Sequence, residues 1–218
     1  MGPGPRNLRR RPLPDGADGQ KLCAKLGHSI IPLKPSLVPI ELSEVWLRDI
    51  MGLSLKNISF SIKKNNKILY KNQGEILFTS YGVSGPLALS SSRYITNNEE
   101  YTAILDLKPA LDINELDRRV QKDFIKYQNR EFKNSLDDLL PQKIIPLIIE
   151  LSGIPAIKKV NVITKEERKR LVSILKEIKM KIKGLRPLEE AIVTAGGVST
   201  LEIDPSTMKS KVISNLSF

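Results

Sequence analysis

The sequence predicts an α+β protein: a β-barrel-like subdomain carrying an inserted small helical bundle. Three observations predict it. Residues 28–109 place apolar side chains on alternate positions, with turn signals between the runs. Residues 112–180 change to apolar repeats every three or four positions, and strand character resumes at Lys181. A helical unit inserted between strands of one sheet or barrel is the simplest arrangement with that order.

The elements follow in turn. Residues 1–14 are rich in glycine, proline and arginine, lack a hydrophobic period and read as a disordered basic arm. Residues 18–27 read as a short helix, with Leu22 and Leu26 at i, i+4 and Gly27 as its stop. Leu53 and Leu55, then Ile58, Phe60 and Ile62, alternate as a strand. Asn65-Asn66 is a hairpin turn into a strand over 67–71, and 75–79 makes the next. Ser84-Gly85-Pro86 opens a helix, with serine as N-cap and proline in the first turn. Residues 100–107 return to strand. Asp112-x-x-Glu115 starts a helix whose Leu116, Val120 and Phe124 share a face. Pro141 opens a second helical stretch ending at Gly153, which Pro146 either kinks or starts late. Thr164-x-x-Glu167 caps a third, with Leu171, Ile174, Leu175 and Ile178 on one face.

Composition narrows the class. At 218 residues and 40% hydrophobic, the chain can bury a core of one large or two small domains, and with 5% aromatics that core is aliphatic. A single cysteine, Cys23, excludes an internal disulfide and fits a reducing, cytoplasmic location. No apolar run reaches the length of a membrane span, and no apolar stretch follows the N-terminal arginines as a secretory signal requires. The net charge of +11 is concentrated: residues 112–186 hold 18 Lys+Arg against 11 Asp+Glu, and residues 1–14 add four arginines. A compact helical unit with a basic face can bind nucleic-acid phosphates. Against that, Glu166, Glu167 and Glu177 interrupt the cations and stacking aromatics are missing from the stretch, so a solvated helical face is the stronger reading.

Residues 191–211 carry the best site candidate. The β-branched run Ile192, Val193, Thr194 meets Gly196-Gly197, resumes as Val198 to Ile203 and ends at the turn signal Asp204-Pro205. Paired glycines in a strand pattern mark a bulge, a tight hairpin or a close backbone approach, and the hairpin is the expectation. Ser84-Gly85-Pro86 is either a simple helix cap or an anion site at a helix N-terminus. His28, the single histidine, pairs with Cys23 at a spacing that lacks two further metal ligands, so no metal site is expected. Nothing in the sequence places a serine and a carboxylate beside it, which leaves a polar residue entering a strand.

Together with GHSIIPLKPSLVPIEL (residues 27–42) and GEILFTSYGVSGPLALS (residues 74–90), in this order and spacing, residues 191–211 resemble the middle of an FAD-dependent oxidoreductase of the aminoacetone-oxidase-like family. The resemblance covers roughly residues 12–218. It implies an insert within a Rossmann-type flavin domain, with Thr194, Gly196, Gly197 and Val198 matching the TxGGV element where insert and flavin meet. Residues 34–111 and 181–211 would form the barrel-like part and 112–180 the helical insert. Residues 15–33 and 212–218 would be remnants of flavin-domain elements. The implied cofactor is FAD, the implied partners a flavin-binding domain, a small organic substrate and a nicotinamide nucleotide or oxygen. No G-x-G-x-x-G follows a strand and the chain stops before the family's Gly-Glu pair, so this chain alone is expected neither to retain FAD nor to be catalytic. No residue is defensible as a catalytic acid or base. The alternatives are a basic helical nucleic-acid-binding module and a degenerate fragment without activity.

Overall fold

The computed structural model describes residues 17–96 and 99–218. The expected basic arm at 1–14 lies outside the described residues. The chain divides into two compact units, Leu37–Arg186 and a smaller one made of residues 17–36 with Pro187–Phe218.

The larger unit is built on a closed antiparallel barrel. Its strands are β2 (Ile40–Leu42), β3 (Ser54–Lys64), β4 (Lys67–Phe78), β5 (Gly82–Ser84), β6 (Tyr101–Asp106) and β7 (Ile178–Leu185), in the order β2-β5-β4-β3-β6-β7. Closure gives every one of these strands a neighbour on each side. The alternation seen in the sequence points Phe60, Ile62, Ile76, Phe78 and Leu105 into a buried apolar interior. Asn65 and Asn66 turn β3 into β4 with both φ positive, 46° and 64°, as a type I′ hairpin requires. The strand pieces expected at 67–71 and 75–79 are one continuous β4, because Asn72, Gln73 and Gly74 pair with Phe60, Ser59 and Ile58. Gly82 lets β5 meet β2: a Cβ there would lie 2.0 Å from the Ile40 carbonyl oxygen. The helix α2 (Pro86–Ser92) is capped by Gly85, not by Ser84, which still belongs to β5 and pairs with Leu77.

Between β6 and β7 the chain leaves the barrel as three helices, α3 (Ile113–Lys126), α4 (Ile145–Ser152) and α5 (Lys165–Lys176). Complete capping boxes start α3 at Asp112/Glu115 and α5 at Thr164/Glu167. Pro146 sits in the first turn of α4, so it delays the helix and does not kink it, and Gly153 ends the helix in the left-handed region. α5 packs on both α3 and α4, and Arg168 Nε donates to Asp117 at 2.8 Å across the α3–α5 contact. Ile178, expected on the α5 face, begins β7 instead: the helix ends at Glu177 and Ile178 turns into the barrel. The α+β class, a barrel with an inserted helical unit, is the observed fold.

The smaller unit holds α1 (Ala17–Lys25), β1 (Ile30–Ser36) and β8 (Val193–Val198), with β1 and β8 forming a two-stranded antiparallel sheet against which α1 packs. The stretch 181–211, expected within the barrel, is thus divided. β7 already bonds β2 and β6, which leaves β8 no place in the barrel. Among the described residues no helix is long and apolar enough to cross a membrane.

Candidate functional site

Thr194, Gly196, Gly197 and Val198 all lie on β8. The expected hairpin is not formed: the glycine pair sits inside one strand, with Ile31 opposite Gly197 and Lys34 opposite Ala195. Pro32 and Leu33 of β1 therefore face the single residue Gly196, a β-bulge. At Gly196, φ is 108° and a Cβ would stand 2.5 Å from the Pro32 carbonyl oxygen, so the bulged backbone itself demands glycine. Gly197 shares φ 108°, yet a Cβ there would meet only Gln20 Nε2, at 3.6 Å. Packing within the unit does not ask for glycine at 197; its backbone conformation does. Thr194, Ala195 and Gly196 are exposed, Val198 is half-buried and Gly197 is buried. Among the described residues β8 has one strand partner, so its other edge is open.

His28 leads into β1 as a structural polar residue, as expected, but with partners that no local pattern announced. Its ring is buried, and its Nδ1 lies 2.9 Å from Glu202 Oε2 while its Nε2 lies 2.9 Å from Ser210 Oγ. Serine, imidazole and carboxylate thus stand in the order of a nucleophile, its base and the acid that orients it. The chemistry of Ser210 differs from that of a nucleophile. Its oxygen also accepts the amides of Val212 and Ile213, at 3.0 and 2.9 Å, and the Phe218 ring stands edge-on to the imidazole, 5.3 Å away. The lone pairs of Ser210 are engaged in a turn, and the three residues clamp the C-terminal segment to the start of β1. Hydrogen bonds from the hydroxyl and amide of Ser29, and then from His28, hold the Glu202 carboxyl below the usual glutamate range.

The remaining candidates separate. Gly85 of the Ser84-Gly85-Pro86 element lies against β4, where a Cβ would approach the Leu77 amide nitrogen to 3.2 Å, so its absent side chain serves strand packing. Several cations of the basic helical stretch are engaged within the protein. Lys158 pairs with Glu167, Arg168 with Asp117 and Lys176 with Asp106, at 2.7 to 2.8 Å, and Arg170 donates to the Ser152 carbonyl. A different basic surface emerges on β7. Its inward residues are Ile178, Met180 and Ile182, and its outward ones are Lys179, Lys181 and Lys183.

Residues 34–193 match the family described as HI0933-like protein barrel and H2TH domain. The chain is 27% identical over 202 residues to the ribosomal RNA dihydrouridine synthase of Escherichia coli K12, covering 92% of this chain and 48% of that protein. It is 31% identical over 202 residues to the ribosomal RNA dihydrouridine synthase of Haemophilus influenzae, with coverages of 92% and 48%. It is 24% identical over 207 residues to the 3-dehydro-bile acid delta(4,6)-reductase of Clostridium scindens, with coverages of 92% and 50%. The chain spans about half the length of the curated relatives it matches.

Proposed function

Because the chain belongs to the HI0933-like protein barrel and H2TH domain family, we propose that it is the substrate-side region of a flavin-dependent oxidoreductase, serving reduction of a carbon–carbon double bond. That family replaces the narrower likeness to aminoacetone-oxidase-like proteins, since the relatives are named for other reactions. A dihydrouridine carries two hydrogens more than a uridine, and a delta(4,6)-reductase removes unsaturation. Both names describe the addition of a hydride and a proton across a double bond. The shared reaction supports this reading more than either substrate does.

The observation that carries the proposal is β8. It offers an exposed run from Thr194 to Gly196, one open edge and two consecutive glycines. A flat ring system can lie against backbone only where no Cβ intrudes, so these residues fit FAD. Bound FAD would supply the hydride equivalent; a nicotinamide nucleotide would renew it. Thr194, Gly196, Gly197 and Val198 would border the ring and shape the space in which the substrate, a small organic molecule or a uridine within RNA, is held. The smaller unit also exposes Leu22, Ile31, Ile192, Leu201, Val212 and Phe218 around a sheet of two strands. Such a sheet is marginal without cover, which supports a flavin-binding domain as its partner.

A chimera tests this. Placed in the Escherichia coli relative instead of the matching region, this chain should support flavin retention and dihydrouridine formation, and Gly197→Val should lower turnover at least tenfold with the barrel intact. The isolated chain, mixed with FAD and passed through gel filtration, should emerge colourless. A yellow isolated chain, or a chimera indifferent to Gly197→Val, overturns the reading.

A further inference from the structure

We propose that the outward face of β7, together with the adjoining faces of β6 and β3, binds the phosphodiester backbone of single-stranded RNA. The choice of RNA over other polyanions rests on the reading above, in which uridine within RNA is one of the two substrate classes.

The outward residues of β7 are all lysines, and all three are exposed. Alternate residues of a strand stand about 6.7 Å apart, so Lys179, Lys181 and Lys183 form a straight ladder of about 13 Å. That step is close to the distance between neighbouring phosphates of an extended single strand, so each ammonium can meet one phosphate. Lysines on strands often guard an exposed edge against mispairing. β7 is not an edge strand as a whole, since β6 pairs with its residues 178–182 and β2 with its residues 182–185, so guarding an open edge accounts for Lys179 at most. An ordinary solvated face mixes both signs along an element, and outward-facing β7 does not.

The acids nearby do not cancel the ladder. Glu100, itself 88% exposed, lies 3.2 Å from Lys181, and Glu177 is 3.7 Å from Lys179 and 4.0 Å from Lys63. Exposed pairs of this kind are weak and exchange readily for a phosphate. Asp106 is held by Lys176 at 2.7 Å. Among the described residues, Lys183 and Lys71 have no acidic partner.

The ladder continues into a depression of about 210 Å³ on the same side of the barrel, lined by Ser59, Ser61, Lys63 and Lys71 and also by the carboxylates of Asp106 and Glu177. The register sets Lys71, Ser61, Ile104 and Lys179 in one row across four strands. At about 4.8 Å per strand, the cations closing this row stand about 14 Å apart. Serine hydroxyls between two cationic borders are donors suited to phosphate or ribose oxygens. Aromatic stacking platforms are missing from this face, so the contact reads backbone, not base sequence.

The test uses the full chain and a fluorescently labelled, unstructured oligouridylate, with binding followed by anisotropy from about 50 to about 200 mM salt. The variant K179Q/K181Q/K183Q should bind at least tenfold more weakly at the low-salt end. Its slope of log affinity against log salt should be shallower by about 2, since each lost phosphate contact on a single strand removes about 0.7. The control R118Q/K122Q/K169Q, on exposed positions of α3 and α5, should stay within twofold, and circular dichroism should show all three proteins equally folded. Unchanged binding by the β7 variant, a loss confined to the helical variant, or no binding at low salt overturns the proposal. Preference for anionic phospholipid vesicles over the oligonucleotide overturns it too. None of these outcomes touches flavin retention, which the chimera tests separately.

Discussion

Gly196 and Gly197 share a backbone conformation but not a surrounding. Alanine at 197 meets the unfavourable φ alone, which costs about 1–3 kcal/mol. Alanine at 196 adds a collision with the Pro32 carbonyl, and the total should reach roughly 3 kcal/mol or more. Urea unfolding, followed by a probe in the smaller unit, should rank Gly196→Ala below Gly197→Ala; the reverse order would show that the bulge is not what fixes residue 196. A second residue-scale expectation concerns Glu99. Hydrogen bonds from Lys64 first, then Tyr101 and Thr96, bring its carboxyl down to about 2 from the ordinary 4.5. A depressed carboxyl stabilises the fold above its unfolded value, and that contribution is lost as pH falls from 4.5 through about 2. Carboxyl-carbon NMR should give a Glu99 midpoint near 2, rising toward the ordinary value in Lys64→Met. The glycine pair was legible in the sequence as a backbone signal. The clamp at His28 was not, because Glu202 and Ser210 lie 174 and 182 positions away and no local pattern ties them to it.

Local signals were the most legible at the scale of elements. Both capping boxes could be read from three-residue spacings, and both formed with reciprocal hydrogen bonds. Asp112→Ala and Thr164→Ala should each cost about 1 kcal/mol, measured as a shift in the urea midpoint without a change in slope. A changed slope would mean that the helix melts separately from the barrel. The pairing of β8 was illegible for the opposite reason. Its partner β1 lies at the other end of the chain, and a glycine pair flanked by β-branched residues gives the same local pattern whether the strand folds back or runs straight. β4 shows the same limit: Asn72 to Gly74 looks like a break, and only pairing to β3 makes it continuous.

For the whole molecule, the order of strands, helices and strands announced an inserted helical unit. The closure of the barrel, and the division of the chain at Ser36 and Pro187, depend on long-range pairing that no window of sequence contains. The core belongs almost entirely to Leu37–Arg186. That segment alone should therefore express as a cooperatively unfolding protein with slow amide exchange in β3, β6 and β7; a molten product would show that it needs the remainder of the chain. Its first and last strands are neighbours: Ile40 faces Leu185, and the Arg186 amide donates to Pro39 at 3.0 Å. A body whose ends emerge side by side is a cassette. It can be spliced into a host loop or excised from it with only a short gap to seal, so a host protein could gain or shed this module in one genetic event.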